Sequence, residues 1–156
     1  MKTSLRIFMA ASLVMAALAT AANAPSFVGT WKLSLEKSKF DPGPPPKSQT
    51  VIYEMSGQDF KLIVMIEDAY SQQHTRNATF RMDGKPYPMS GNPNVDTISV
   101  QRISARETRT TEMRGSKIVG QLTSTISADG KTRTSRVTLM TADGRTEHNV
   151  TVYDRQ

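Results

Sequence analysis

Cysteine is absent from all 156 residues. That excludes disulfides, thiolate metal ligands and thiol nucleophiles, so the fold rests on packing and backbone hydrogen bonding alone. Histidine occurs twice, as His74 and His148, and no Gly-x-Ser-x-Gly elbow is present, which leaves nucleophilic catalysis without its usual groups. Apolar residues recur nowhere at the 3.6-residue spacing of an amphipathic helix. After residue 24 no apolar run is long enough to span a bilayer. No three metal-binding side chains sit at a recognisable spacing, because His74, His148 and Glu147 lack a further ligand.

What is present begins at the amino terminus. Lys2 and Arg6 precede an apolar run from Ile7 to Ala19, and Ala22-Asn23-Ala24 is the small-x-small pattern that precedes signal-peptidase cleavage. Residues 1–24 are expected to be a secretory signal peptide, cleaved after Ala24. Residues 25–156 then form a single exported, periplasmic domain with no membrane anchor. Loss of Lys2 and Arg6 lowers the formal charge from +6 to +4.

The rest of the chain reads as short strands. Trp31, Leu33 and Leu35 alternate with polar residues, as do Val51, Tyr53 and Met55, and Phe60, Leu62, Val64 and Ile66 share one face. Asp41 to Pro46 holds four prolines and must be a stiff loop. Asp-Gly recurs at Asp83-Gly84, Asp129-Gly130 and Asp143-Gly144, a strong signal for tight hairpins. Residues 86–93 read as irregular, with room for one very short strand, and strands follow near 97–103, 106–113, 117–127, 131–141 and 145–155. The expectation is all-β: an up-and-down antiparallel meander of eight to ten strands. Closure into a barrel removes exposed edges, and a two-sheet sandwich is the alternative. Threonines of the later strands, Thr108 and Thr110 among them, are assigned to a solvated outer face.

Phe27-Val28-Gly29-Thr30-Trp31-Lys32-Leu33 resembles the opening strand of the calycin barrels, the lipocalins and the fatty-acid-binding proteins. Val150 to Arg155 is similar to the closing strand of the latter group. A closer likeness is to small exported bacterial lipocalin-like proteins that open with the same motif. The resemblance implies a closed barrel in which Arg155 lies over Trp31 at one end as a structural closure. It also implies a lumen for a small hydrophobic or amphipathic molecule. Two departures are visible: the prolines of 42–46 preclude the helical lid of fatty-acid-binding proteins, and Thr151 stands where their carboxylate-binding arginine would be. On the last strand Val150 and Val152 read as inward, which turns Tyr153 and Arg155 outward unless a bulge intervenes.

The candidate ligand-binding residues are Tyr53, Phe60, Leu62, Val64, Phe80, Met82, Val100, Leu122, Val137 and Leu139. With Leu33 and Ile98 they either line a pocket or fill the barrel. A filled barrel would act through its outer surface as an envelope interaction protein. His148 lies where some ten-stranded calycin-like barrels ligate haem, but without companion residues no cofactor or metal is expected. The basic residues split by parity between strand faces with no interleaved aromatics, so no nucleic-acid partner is expected either. One arginine turned inward would meet an acidic ligand, and parity alone leaves open which. No enzyme activity is expected. The sequence carries no sign of oligomeric state.

Overall fold

A computed structural model describes residues 26–141 and 143–156; the proposed signal peptide lies outside them. Ten strands follow one another: β1 (Gly29–Lys39), β2 (Ser48–Ser56), β3 (Asp59–Glu67), β4 (Gln73–Phe80), β5 (Asp83–Ser90), β6 (Thr97–Arg102), β7 (Glu107–Arg114), β8 (Lys117–Ile126), β9 (Thr132–Met140) and β10 (Thr146–Arg155). Each pairs antiparallel with its sequence neighbour, and β1 pairs with β10 to close the barrel. The described residues contain no helix, so the fold class is the all-β closed meander expected from the alternation and turn pattern.

The two ends of the barrel differ. At the closed end Trp31 is fully buried, and its indole N–H donates to the Phe27 carbonyl at 2.9 Å. The Arg155 guanidinium lies 4.1 Å above the indole ring centre. It also donates to the carbonyls of Ser26, Val28 and Gly130 at 2.6, 2.7 and 2.7 Å, tying together three segments that the sequence leaves far apart. Gly29 adopts φ +131°, and a Cβ there would sit 2.6 Å from Arg155 Nη1. The Gly-x-Trp signature is therefore a seat for an arginine: glycine clears the space and tryptophan supplies the π face.

Arg155 reaches this seat without a bulge. The inward face of β10 is Glu147, Asn149, Thr151, Tyr153 and Arg155, while Val150 and Val152 lie on the other face. The inward assignment of the two valines is corrected: Thr151 and Tyr153 are the buried residues. A register shift occurs instead in β1 between Ser34 and Lys39. There the Ser38 hydroxyl donates to the Ser34 carbonyl at 2.6 Å and accepts from the Val152 amide at 2.9 Å. This bulge ends the inward alternation of β1 after Leu33 and leaves Leu35 exposed.

The 83–93 region also differs from expectation. The chain turns at Arg81-Met82, and Asp83-Gly84 is already strand. With φ +78°, Gly84 sits in a register shift between Asp83 and Pro86 rather than in a hairpin loop. β5 is a full strand despite Pro86 and Pro88, because both face its weak side. The Met89 amide donates across to the Asp96 carbonyl at 2.9 Å, so by alternation the proline nitrogens point towards β4. With those donors missing, β4 and β5 are in register only at Asn77–Ser90 and Ala78–Met89. Gly91 closes the top of this seam; a Cβ would lie 1.9 Å from the Thr75 carbonyl oxygen. Gly91→Ala is expected to lower stability by about 2–3 kcal/mol, measured by urea denaturation, as backbone must move to admit the methyl group.

Candidate functional site

The alternation that builds the barrel also decides what faces its interior. Strands β2 to β6 turn in a mainly apolar wall, with Val51, Leu62, Val64, Phe80, Ile98 and Val100, interrupted by Gln49 and Arg76. Strands β7 to β10 turn in a mixed one. Thr108 is buried and Thr110 lines the lumen, which corrects their assignment to the solvated outside. Ser124 and Ser135 are buried and share a 2.7 Å hydrogen bond, so their hydroxyls satisfy each other. The interior is not filled. A cavity of about 450 Å³ runs from this floor to the mouth, within the range that holds one small molecule.

Eight of the candidate ligand residues line this cavity: Tyr53, Leu62, Val64, Phe80, Val100, Leu122, Val137 and Leu139. Two do not. Phe60 packs beneath it, stacked on Phe80 with ring centres 6.0 Å apart. Met82 lies in the closed-end turn, where its sulfur contacts Arg102 at 3.2 Å. Both histidines lie away from the cavity wall. His148 is exposed on the outer face of β10 beside Thr138, and His74 pairs with Asp68 at 2.8 Å. Among the described residues no three His, Asp or Glu side chains come together to hold a metal ion.

The mouth is rimmed by two loops. The proline segment is fixed by hydrogen bonds of 2.9 Å from the Asp41 amide to Asn149 Oδ1 and from the His148 amide to the Asp41 carbonyl. Beside it, the 68–72 turn folds around the Asp68 carboxylate, which accepts from His74 and from the amides of Tyr70 and Gln72. The hydrogen bond from His74, then that from Gln72, holds the Asp68 carboxyl below its usual pKa. Tyr70, largely exposed, is carried to the cavity rim, and Lys47 hydrogen-bonds Ser71 to join the two loops.

The decisive side chain is Arg133 on β9. It is 5 % exposed, and its guanidinium lies 5.3 Å from the ring centre of Tyr53 and 4.9 Å from that of Tyr153. Among the described residues its Nε and Nη1 find no acceptor. A cation held between two aromatic faces but lacking hydrogen-bond acceptors is a poor structural element. It is a good receptor for an anion. Burial raises the Tyr153 hydroxyl pKa, against the pull of Arg133, so this phenol stays protonated and able to donate. β9 and β10 are in register at Arg133 and Tyr153. Arg133 thus stands directly beside Tyr153 on the neighbouring strand.

No family profile matches the sequence, and no curated protein matches it. Among solved structures, zebrafish ileal bile acid-binding protein, in a complex with cholic acid, has a TM-score of 0.53 to this chain. The alignment covers 83 % of this chain and 98 % of that one at 17 % identity. The chain shares the fold of that protein, here a closed barrel of ten antiparallel strands. At this identity the likeness extends to the barrel and not to its residues. The lumen differs from a plain hydrocarbon sleeve by its two-sided lining and by the charged groups Arg133, Arg76 and Glu112 within it.

Proposed function

We propose that this protein binds a small amphipathic anion in its lumen, with the acid group on Arg133 and the hydrocarbon body against the β2–β6 wall. The single observation that carries this reading is the buried Arg133 guanidinium, which lines a cavity of about 450 Å³ and leaves two of its nitrogens without a partner. A carboxylate would pair with the guanidinium through Nη2 and one of these two nitrogens, in the forked geometry that arginine favours, with the Tyr153 hydroxyl within the same pocket. The bound ligand of the zebrafish protein, cholic acid, is an amphipathic acid of this general chemistry. The reading is one of carriage rather than catalysis, as neither histidine lines the cavity. The cationic start, apolar run and Ala22-Asn23-Ala24 of the amino terminus support export to the periplasm, with residues 25–156 as the working domain.

The test compares an acid with its neutral ester. Dodecanoate is expected to displace a lumenal fluorescent probe from the purified protein, and methyl dodecanoate to do so about 100-fold less well. That ratio is worth about 2.7 kcal/mol, within the range of a desolvated charge pair. Equal displacement by acid and ester would contradict the role given to Arg133, and displacement by neither would remove the lumen as a binding site.

A further inference from the structure

Within the polar wall, one group stands apart from the self-satisfied hydroxyls. Glu112 on β7 is 9 % exposed and borders the cavity. Burial raises its pKa, with the charge of Arg76 acting the other way and no hydrogen bond contributing. The carboxyl lies across Gly120, its register partner on β8; a Cβ at Gly120 would stand 2.6 Å from Glu112 Oε2 and 3.0 Å from Leu139 Cδ2. A register shift follows immediately, between Glu112 and Met113. The backbone therefore leaves a side-chain-sized recess in which a buried carboxyl lies flat, facing the lumen without a protein donor.

The recess is far from Arg133. Glu112 is level with Gly120, and Gly120 with Leu139, six residues along β9 from Arg133. At a rise of about 3.3 Å per residue the two backbones are offset by about 20 Å along the strands. A ligand whose acid group rests on Arg133 would bring its opposite end towards Glu112. A bare methyl terminus there would desolvate the carboxyl and give it nothing in return. A hydroxyl would donate to it, whereas an ammonium would also meet the field of Arg76.

Resting on the anion-binding reading above, we infer that Glu112 and Gly120 form a second lumenal subsite for a hydroxyl group, so that the preferred ligand is an elongated acid hydroxylated at the end remote from its carboxylate. Glu112 is then the residue that selects between hydroxylated and plain hydrocarbon tails, and Arg133 the residue that holds any acid.

The experiment measures affinity for dodecanoate and hexadecanoate, for their ω-hydroxy forms, and for 12-aminododecanoate, in the native protein and in Glu112→Leu, Glu112→Gln and Gly120→Ala. The native protein is expected to bind the ω-hydroxy acid about tenfold more tightly than the plain acid at the better-fitting length, the effect of one buried hydrogen bond. Glu112→Leu should abolish or invert that ratio while leaving the plain acid bound at least as well. Glu112→Gln, which keeps an acceptor, should retain part of the preference, and Gly120→Ala should reduce it by displacing the carboxyl. A native ratio of one, a ratio unchanged in Glu112→Leu, or tighter binding of the amino acid than of the ω-hydroxy acid would each overturn the subsite while leaving the Arg133 reading standing. Binding of none of these acids by the native protein would overturn both.

Discussion

Trp31→Ala is expected to lower the stability of the barrel by about 3–5 kcal/mol, the range for removing a buried large aromatic side chain. The ring is fully buried, and the loss would extend beyond its volume. The Phe27 carbonyl would lose its indole donor, and Arg155 would lose the π face beneath it. Arg155 is the larger part of the argument, since its three hydrogen bonds join the amino-terminal segment, the β8–β9 turn and the last strand. Arg155→Leu should therefore be nearly as damaging, and Arg155→Lys should recover little, because an ammonium cannot reach three divergent carbonyls or stack flat on an indole. Urea denaturation with fluorescence and circular dichroism measures these losses. A loss below about 1 kcal/mol in Trp31→Ala would mean that closure of the barrel does not depend on this corner.

Arg133→Met is expected to behave in the opposite way. A structural arginine of similar burial would cost several kcal/mol on removal, because its partners would be orphaned. Arg133 leaves few partners behind: its contacts are two tyrosine faces, and two of its own nitrogens are already unsatisfied. Methionine packs between the same rings without a charge to desolvate. The unliganded variant should gain about 1–2 kcal/mol, while binding of acids weakens about 100-fold and binding of the methyl ester stays as it was. Thermal melts with and without dodecanoate separate the two effects, since ligand-induced stabilisation should vanish in the variant even as its own midpoint rises. A destabilised variant that still binds acids would assign Arg133 to the core. Arg133→Lys distinguishes charge from shape: a point charge without the planar fork should restore only part of the affinity.

The closed end was the most legible part of the sequence. Gly29, Trp31 and Arg155 each have few tolerable replacements there, so the signature survives as a readable motif. The lumen was legible in part, because strict alternation fixes facing once one residue is placed. On β9, the inward assignment of Val137 and Leu139 already puts Arg133 on the same face; the charge of Arg133 obscured what its position stated. On β7 the signal was weaker still. Thr108, Thr110 and Glu112 form an inward set with no apolar member, which in isolation reads as solvated surface. The same ambiguity reversed β10, where Val150 and Val152 are more apolar than the inward Thr151 yet face out.

Other differences came from backbone features that side-chain pattern does not report. Leu35 continues the alternation of Trp31 and Leu33, but the bulge before Lys39 turns it outward. β5 was hidden by Pro86 and Pro88, residues that are compatible with a strand only because its β4 side is nearly unpaired. That seam is visible only when ten strands are counted around the barrel.

The central claim is that an acid group enters the barrel and is held by Arg133. It is tested most directly by following the Nε–H resonance of Arg133 in the ¹⁵N-labelled protein during titration with ¹³C-carboxyl dodecanoate. The account predicts a downfield shift of that resonance, saturating together with the change in the carboxyl signal and absent with the methyl ester. Saturable binding that leaves the Arg133 resonance unmoved, with shifts confined to the mouth or the outer surface, would contradict it.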